Sequence, residues 1–369
     1  MKTPPSIDEF EISIFGPGIG ESVLLHVGDN EWIIVDSCMY RITQSAIALQ
    51  YLKNLNVDVA TAVKLFIVTH WHDDHIRGAS TVLKECKNAR FVCSGALCSR
   101  EFLELCFLGG HALMESSGID EFNQILKIIL SQREGNRLKS VGPDQWAIAG
   151  RKLNFSKQGG TLNAEICSLS PSDAAMTLAF REIGQMIPKE KTVQRRAISQ
   201  KPNHVSVALW LIVERLNVLL GSDLENHQDN NLGWRAILLS QNRPENRALI
   251  IKVPHHGSST SYCKEMWDEM IEPDPIALLT PFASGVNPLP SKRDIKNLKN
   301  HTEKIFCTGE PSGWQPPRRD AAVERTLREM VRIRRLIHGR MGHIRVRFKV
   351  KEQNANPEIR LFNGACLLV

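Results

Sequence analysis

Residues His70-Trp71-His72-Asp73-Asp74-His75 put three imidazoles and two carboxylates into six consecutive positions. In an extended segment alternate side chains share a side, so His70 and His72 can meet at one divalent ion. Asp74 and His75 follow at the turn into the next predicted helix, where they can face a second ion. Two ions about 3.5–4 Å apart can hold a bridging hydroxide and clamp an attacked phosphate or carbonyl. Imidazole and carboxylate ligands suit zinc first, with manganese or iron as alternatives. A chance cluster of surface histidines would not be matched by similar groups elsewhere in the chain.

Such groups are present. The apolar run Trp32–Val35 ends in Asp36, Val63–Val68 ends in Thr69 and the histidine run, and Asn217–Leu220 ends in Gly221-Ser222-Asp223. A fourth run, Ala248–Val253, ends in Pro254-His255-His256-Gly257. Loops at the carboxyl ends of strands gather at one crevice in α/β sheets, so these four could converge. Further β-branched runs at Glu11–Phe15, Ser22–Val27, Val205–Val213 and His343–Val350 read as strands. Helical patterns at Gln44–Leu55, Ser80–Lys87, Glu101–Leu108, Ile119–Gln132 and about Ala321 to Leu336 intervene, which predicts an α/β architecture with covered sheets. The stretch from about 98 to 200 has the least regular pattern. It begins helical, passes through strand-like Lys152–Phe155 and Glu165–Leu169, and reads as an exposed loop over Pro188–Arg196.

The 369 residues are 42% hydrophobic and 23% charged, enough for a sizeable core. The formal charge of +6 mildly favours an anionic substrate or partner. The nine cysteines lack the close spacing of a zinc knuckle or a redox pair and read as free thiols in a reducing compartment. No apolar run approaches the roughly 20 residues of a membrane span. A soluble, cytoplasmic protein without membrane association is the expectation. From Arg318 to Lys351 about twelve basic residues face three acidic ones. Arg325, Arg328, Arg332 and Arg335 follow helical spacing, and Arg345, Arg347 and Lys349 alternate along the last strand pattern. Such stripes could touch a nucleic-acid backbone, an acidic partner protein or only solvent.

The run His70-x-His72-x-Asp74-His75 resembles the signature of the metallo-β-lactamase superfamily. Gly20-Glu21-Ser22, Ile34-Val35-Asp36-Ser37, Ser168-Leu169-Ser170-Pro171, Asn203-x-x-Ser206, Leu220-Gly221-Ser222-Asp223 and Lys252-Val253-Pro254-His255-His256-Gly257-Ser258 are similar to segments of the hydrolase domain of ComEC-type DNA-uptake proteins. That resemblance implies an αββα sandwich of two mixed sheets between outer helices. It implies one domain over 1–369, with an insertion at about 98–200 and a basic helix-strand at about 318–351. It implies that His70 and His72 bind one metal, that Asp74 and His75 bind a second, and that Asp223 bridges them. His256 would complete the second site and His255 would touch substrate, although sequence leaves the choice between the two open. The third ligand of the first metal is open between His204 and Asn203. Asp36 would orient the metal loop, with Asn203 and Ser206 in supporting roles. Ser222 stands where the family usually has glycine.

Catalysis would fall to Asp74, His255 and Lys252. Lys252 with Ser258, Ser259 and Thr260 could contact a phosphate, or the hydroxyls could cap turns and the lysine face water. The function implied is two-metal hydrolysis of a phosphodiester in DNA or RNA, with a protein partner in defence or repair as a conceivable setting. The alternatives are hydrolysis of a small phosphoester, lactone or thioester, and a metal-binding scaffold in a larger complex.

Overall fold

The structure, a computed structural model, describes residues 3–16, 20–40, 43–109, 117–133, 143–186, 202–282, 288–311, 341–352 and 356–368. Along most strands both alternating faces are buried, as expected for sheets covered on both sides. In Trp32–Val35, for example, Ile33 and Val35 join one apolar cluster while Trp32 and Ile34 join another. The first sheet runs in the order β17 (Glu358–Phe362), β16 (Gly342–Phe348), β1 (Phe10–Gly16), β2 (Ser22–Val27), β3 (Trp32–Val35), β6 (Val63–Val68), β7 (Arg90–Ser94) and β8 (Gln145–Ala147). A small ribbon, β4 (Met39–Tyr40) with β5 (Ser45–Ala46), stands apart. The second sheet runs β18 (Cys366–Leu367), β15 (Ile305–Cys307), β14 (Ile271–Leu279), β13 (Ala248–Lys252), β12 (Leu216–Leu220), β11 (Leu209–Val213), β10 (Ala164–Ser168) and β9 (Arg151–Lys157). Both sheets mix parallel and antiparallel pairs.

Three apolar layers hold the sheets and helices together. Ile14, Leu25 and Leu65 meet Leu211, Val218 and Ile250 between the sheets. Outside the first sheet, Leu52, Phe102 and Phe122 cover Trp32 and Phe66 from the helices Ile47–Asn54, Arg100–Gly109 and Ser117–Arg133. Outside the second, Trp234, Met266 and Trp267 cover Trp210 and Ile251 from the helices Gly233–Leu238 and Lys264–Met270. Each large side chain so buried contributes about 1.5–3 kcal/mol. This is the expected αββα sandwich.

Some expectations change. Only the second half of Val205–Val213 is strand, because residues Pro202–Val205 form a 3-10 turn. β14 carries Pro273 and Pro275 and a left-handed Asp274 near its start, which hides its strand pattern in the sequence. The stretch from 98 to 200 contributes helices and the expected strands near 152–155 and 165–169, as β9 and β10, and adds β8, so that it extends an edge of each sheet. The expected loop Pro188–Arg196 and the helix carrying Arg325, Arg328, Arg332 and Arg335 lie outside the described residues. Among the described residues no helix is long and apolar enough to cross a membrane.

Arg345 and Arg347 are internal, contrary to a role on a nucleic-acid surface. Pairing of β1 with β16 sets Glu11 opposite Arg347 and Ser13 opposite Arg345. The Arg347 guanidinium donates to Glu11 at 2.7 Å and to the Thr3 carbonyl at 2.7 Å. Arg345 lies over the ring of Phe362, 5.3 Å from its centroid. Glu11 also accepts from the Tyr51 hydroxyl of the covering helix at 2.8 Å. Removing Arg347 strands a buried carboxylate, which typically costs about 3–5 kcal/mol. Arg347→Ala should therefore lower the unfolding free energy, measured by urea titration, by that order without altering retention on a nucleic-acid column; unchanged stability with lost retention would refute the internal role.

Candidate metal centre

The four strand ends predicted to converge do so, two from each sheet. β3 and β6 lead into Asp36 and the histidine run, while β12 and β13 lead into Asp223 and the His255-His256 pair. Asp36, Ser222, His255 and His256 all have φ between 44° and 57°, so the ligand loops concentrate backbone strain. Gly20 closes one side. A Cβ there would lie 1.8 Å from the Asp74 carbonyl oxygen, which accepts the Glu21 amide at 2.8 Å.

Among the described residues three ligand groups form. Glu21, Asp36 and His75 make one, which Lys252 and the bond from His75 Nδ1 to Asp36 already engage. The other two share one residue. His70, His72 and Asp223 make the first of these, and Asp74, His75, Asp223 and His256 the second. His70 Nε2 lies 3.1 Å from His72 Nδ1 and 3.9 Å from Asp223. His75 Nε2 lies 3.3 Å from Asp223, and His256 Nε2 lies 3.2 Å from Asp74. Side-chain carboxylates and carbonyls only accept, which fixes the rings. His75 Nδ1 donates to Asp36 at 2.8 Å, and His256 Nδ1 donates to the Thr280 carbonyl at 3.0 Å. The Thr69 hydroxyl donates to Asp36 at 2.7 Å, so at 3.0 Å it receives the proton of His70 Nδ1. Each ring therefore turns Nε2 inward, as metal ligation requires. His75 Nε2 and Asp223 Oδ1 are buried with no hydrogen-bond partner among the described residues. Orphaned ligand atoms of this kind, facing one another, fit divalent metal.

Charge distinguishes the two groups. Burial holds His70 and His72 below the usual imidazole range, so they stand neutral and ready to ligate. Burial acts the same way on His75 and His256, but Asp223 and its neighbouring carboxylates outweigh it and push both upward. Burial would raise Asp74 and Asp223, yet the adjacent imidazoles keep both low.

Lys252 is not beside a substrate phosphate. It is 1% exposed, with Nζ 2.5 Å from Glu21, 3.0 Å from the Ser222 carbonyl and 3.9 Å from Asp223. Burial would lower the lysine, but Glu21 and Asp223 raise it, so the ammonium persists. His204 joins neither group; its ring sits 5.1 Å from that of His227. Its neighbour Asn203 instead turns its amide to His255 Nε2 at 3.3 Å and to Glu225 at 3.4 Å. His255 stands at the rim, its Nδ1 3.1 Å from the Thr260 hydroxyl and 3.3 Å from Glu225. Ser258 bonds the Thr260 amide, a turn role, and Thr260 donates to Glu225 at 3.0 Å. Ser259 is exposed.

Sequence reasoning assigned no role to Glu21, Thr69, Glu225 or Thr280. Glu225 follows Asp223 by two positions and Thr69 precedes His70, so proximity to ligands was their signal. Burial opposes its ionisation, but His255, Thr260 and Asn203 hold Glu225 down at about 2.

The family model described as Metallo-beta-lactamase superfamily matches residues 15–135. No curated protein matches the chain. Among solved structures, a motif mutant of the metallo-beta-lactamase from Cronobacter sakazakii is 15% identical with a TM-score of 0.33, covering 67% of this chain and 77% of its own. The metallo-beta-lactamase from Pontibacter korlensis is 11% identical at a TM-score of 0.31, covering 68% and 87%. MEM-A1, a subclass B3 metallo-beta-lactamase from a soil metagenome library, is 12% identical at 0.32, covering 73% and 89%. Likeness at this level says nothing of substrate.

Metal must displace the protons that His75 and His256 favour, so affinity should rise with pH. Calorimetric titration of zinc near pH 7, in buffers of differing ionisation enthalpy, should report up to about two protons released per protein. The His75→Ala variant should release fewer; release equal to wild type would contradict the assignment.

Proposed function

We propose that this chain, which has the metallo-β-lactamase fold, is a two-metal hydrolase that cleaves phosphodiester bonds. The observation that carries the reading is Asp223, which the first and second ligand groups share. A carboxylate shared in this way can bridge two ions. When bound, such ions would activate water and offset charge on the attacked group. The chain's own residues do the rest. Asp36, Thr69 and Thr280 hold three imidazoles with Nε2 inward. Lys252 neutralises Glu21 and steadies Asp223.

Charge favours an anionic substrate. Glu21, Asp36, Asp74 and Asp223 against Lys252 leave three net negative charges when the histidines are neutral. Two divalent ions reverse this to a single positive charge, which suits the single negative charge of a phosphodiester. His255 is braced by Glu225, Asn203 and Thr260 at the rim, which supports assigning it to the substrate or leaving group. The motifs resembling ComEC-type domains support the same bond. Nucleic acid is the substrate that this resemblance favours, with zinc the first metal to try.

A second reading has one observation behind it. Lys252, Arg345 and Arg347, three of the cations expected to meet a nucleic acid, are internal. A small phosphoester, lactone or thioester would need none of them. Protein loaded with zinc or manganese should be offered single- and double-stranded DNA and RNA, bis(p-nitrophenyl) phosphate, a lactone and a thioester. The phosphodiesters should be cleaved, and Asp223→Ala should lower turnover by about a thousandfold, the order lost with a charge-stabilising group. Turnover of the lactone or thioester with every phosphodiester intact would replace this reading with the second.

A further inference from the structure

We propose that Ser222 is a positioning residue that couples the two halves of the metal centre through a relay of buried hydroxyls; the proposal rests on the two-metal reading above. Ser222 has φ 45°, a conformation that glycine adopts freely and most side chains avoid. A serine held there needs a compensating interaction, and its hydroxyl makes two. It accepts from Ser206 Oγ at 2.7 Å and donates to Thr69 Oγ1 at 2.8 Å. Thr69 Oγ1 passes on to Asp36 Oδ2 at 2.7 Å, and that oxygen also accepts His75 Nδ1 at 2.8 Å. At the other end Ser206 Oγ accepts the backbone amide of Asp223 at 3.0 Å.

The chain of bonds therefore runs from Asp223, on the second sheet, to His70 and His75, on the first. Every hydroxyl in it donates once, the direction is constant from the Asp223 amide to the Asp36 carboxylate, and the two imidazoles donate into the chain from the other side. Thr69, Ser206 and Asp36 are at most 2% exposed and Ser222 is 4% exposed, so water does not compete. Bonds aligned head to tail strengthen one another in such surroundings. Thr69 also sets the proton on His70 Nδ1. Glycine at 222 would leave Ser206 and Thr69 without their mutual partner, and each half of the centre would be placed by its own sheet alone. The relay keeps the ligands in register before metal arrives.

The test compares wild type with Ser222→Ala, Ser222→Gly, Thr69→Val, Thr69→Ser and the double variant Ser222→Ala/Thr69→Val. Zinc affinity and stoichiometry are measured by competition with a chelating dye, and the urea midpoint is measured on metal-free protein. Loss of groups that orient metal ligands typically weakens affinity about 10- to 100-fold. That loss is expected in Ser222→Ala, Ser222→Gly and Thr69→Val. Thr69→Ser, which keeps the hydroxyl, should stay near wild type, and the double variant should lose no more than the worse single one. Wild-type affinity in Ser222→Gly, or additive losses in the double variant, would overturn the relay. A role in stability alone would shift the midpoint and leave affinity unchanged, which also overturns it. If Ser222→Ala does not fold, the contrast between Thr69→Val and Thr69→Ser decides. Failure of wild type to bind two ions would overturn the two-metal reading itself, a result separate from any of these.

Discussion

Four carboxylates, those of Glu21, Asp36, Asp74 and Asp223, meet at the seam between two sheets, where three of them are at most 2% exposed. Like charges drawn from water into so small a space repel strongly unless cations answer them. One answer is built in, the ammonium of Lys252, 2.5 Å from Glu21 and sealed from solvent. It meets only part of the demand. The imbalance explains why His75 and His256 favour their protons, and why divalent metal suits the space that these groups enclose.

The apolar scaffold makes that concentration of charge tolerable. Inter-sheet packing of Ile14, Leu65, Val218 and Ile250 fixes two sets of strand ends against each other, and the strained turns at Asp36, Ser222, His255 and His256 aim side chains into the gap. The imidazoles of His70, His75 and His256 are tied on their outer nitrogens to groups that belong to the scaffold. Only the inner nitrogens remain for chemistry. The fold supplies orientation, and fold alone does not set a substrate.

Much of this was legible in the chain, and the exceptions have physical reasons. The spacing of His70 to His75 and the apolar runs before Asp36, Asp223 and His255 marked the centre because strand alternation and ligand type are both local signals. Lys252 was misread although its position was telling: it shares a strand face with Ile250, which packs between the sheets. Arg347 could not be placed without knowing that Glu11, over 300 positions earlier, lies opposite it. His204 and Asn203 are adjacent on a 3-10 turn and diverge, one to His227 and the other to His255, which no periodicity predicts. β14 escaped because its prolines and left-handed Asp274 mimic a loop.

Pairing of β1 with β16 has a consequence for the order of assembly. β1 pairs with β2 on one side, a neighbour that follows within a few residues, but its other partner follows more than 300 positions later. On the ribosome Phe10–Gly16 must wait with one edge open, and Glu11 waits for Arg347, while the chain in between is made. The histidine run and Asp223 leave the exit tunnel earlier than that closing strand. The ligand loops can therefore meet, and take up an ion, around a first sheet that is still unfinished. The two sheets can dock through their ligand loops before β1 gains its second partner, because the contacts between those loops span less of the chain than the pairing of β1 with β16.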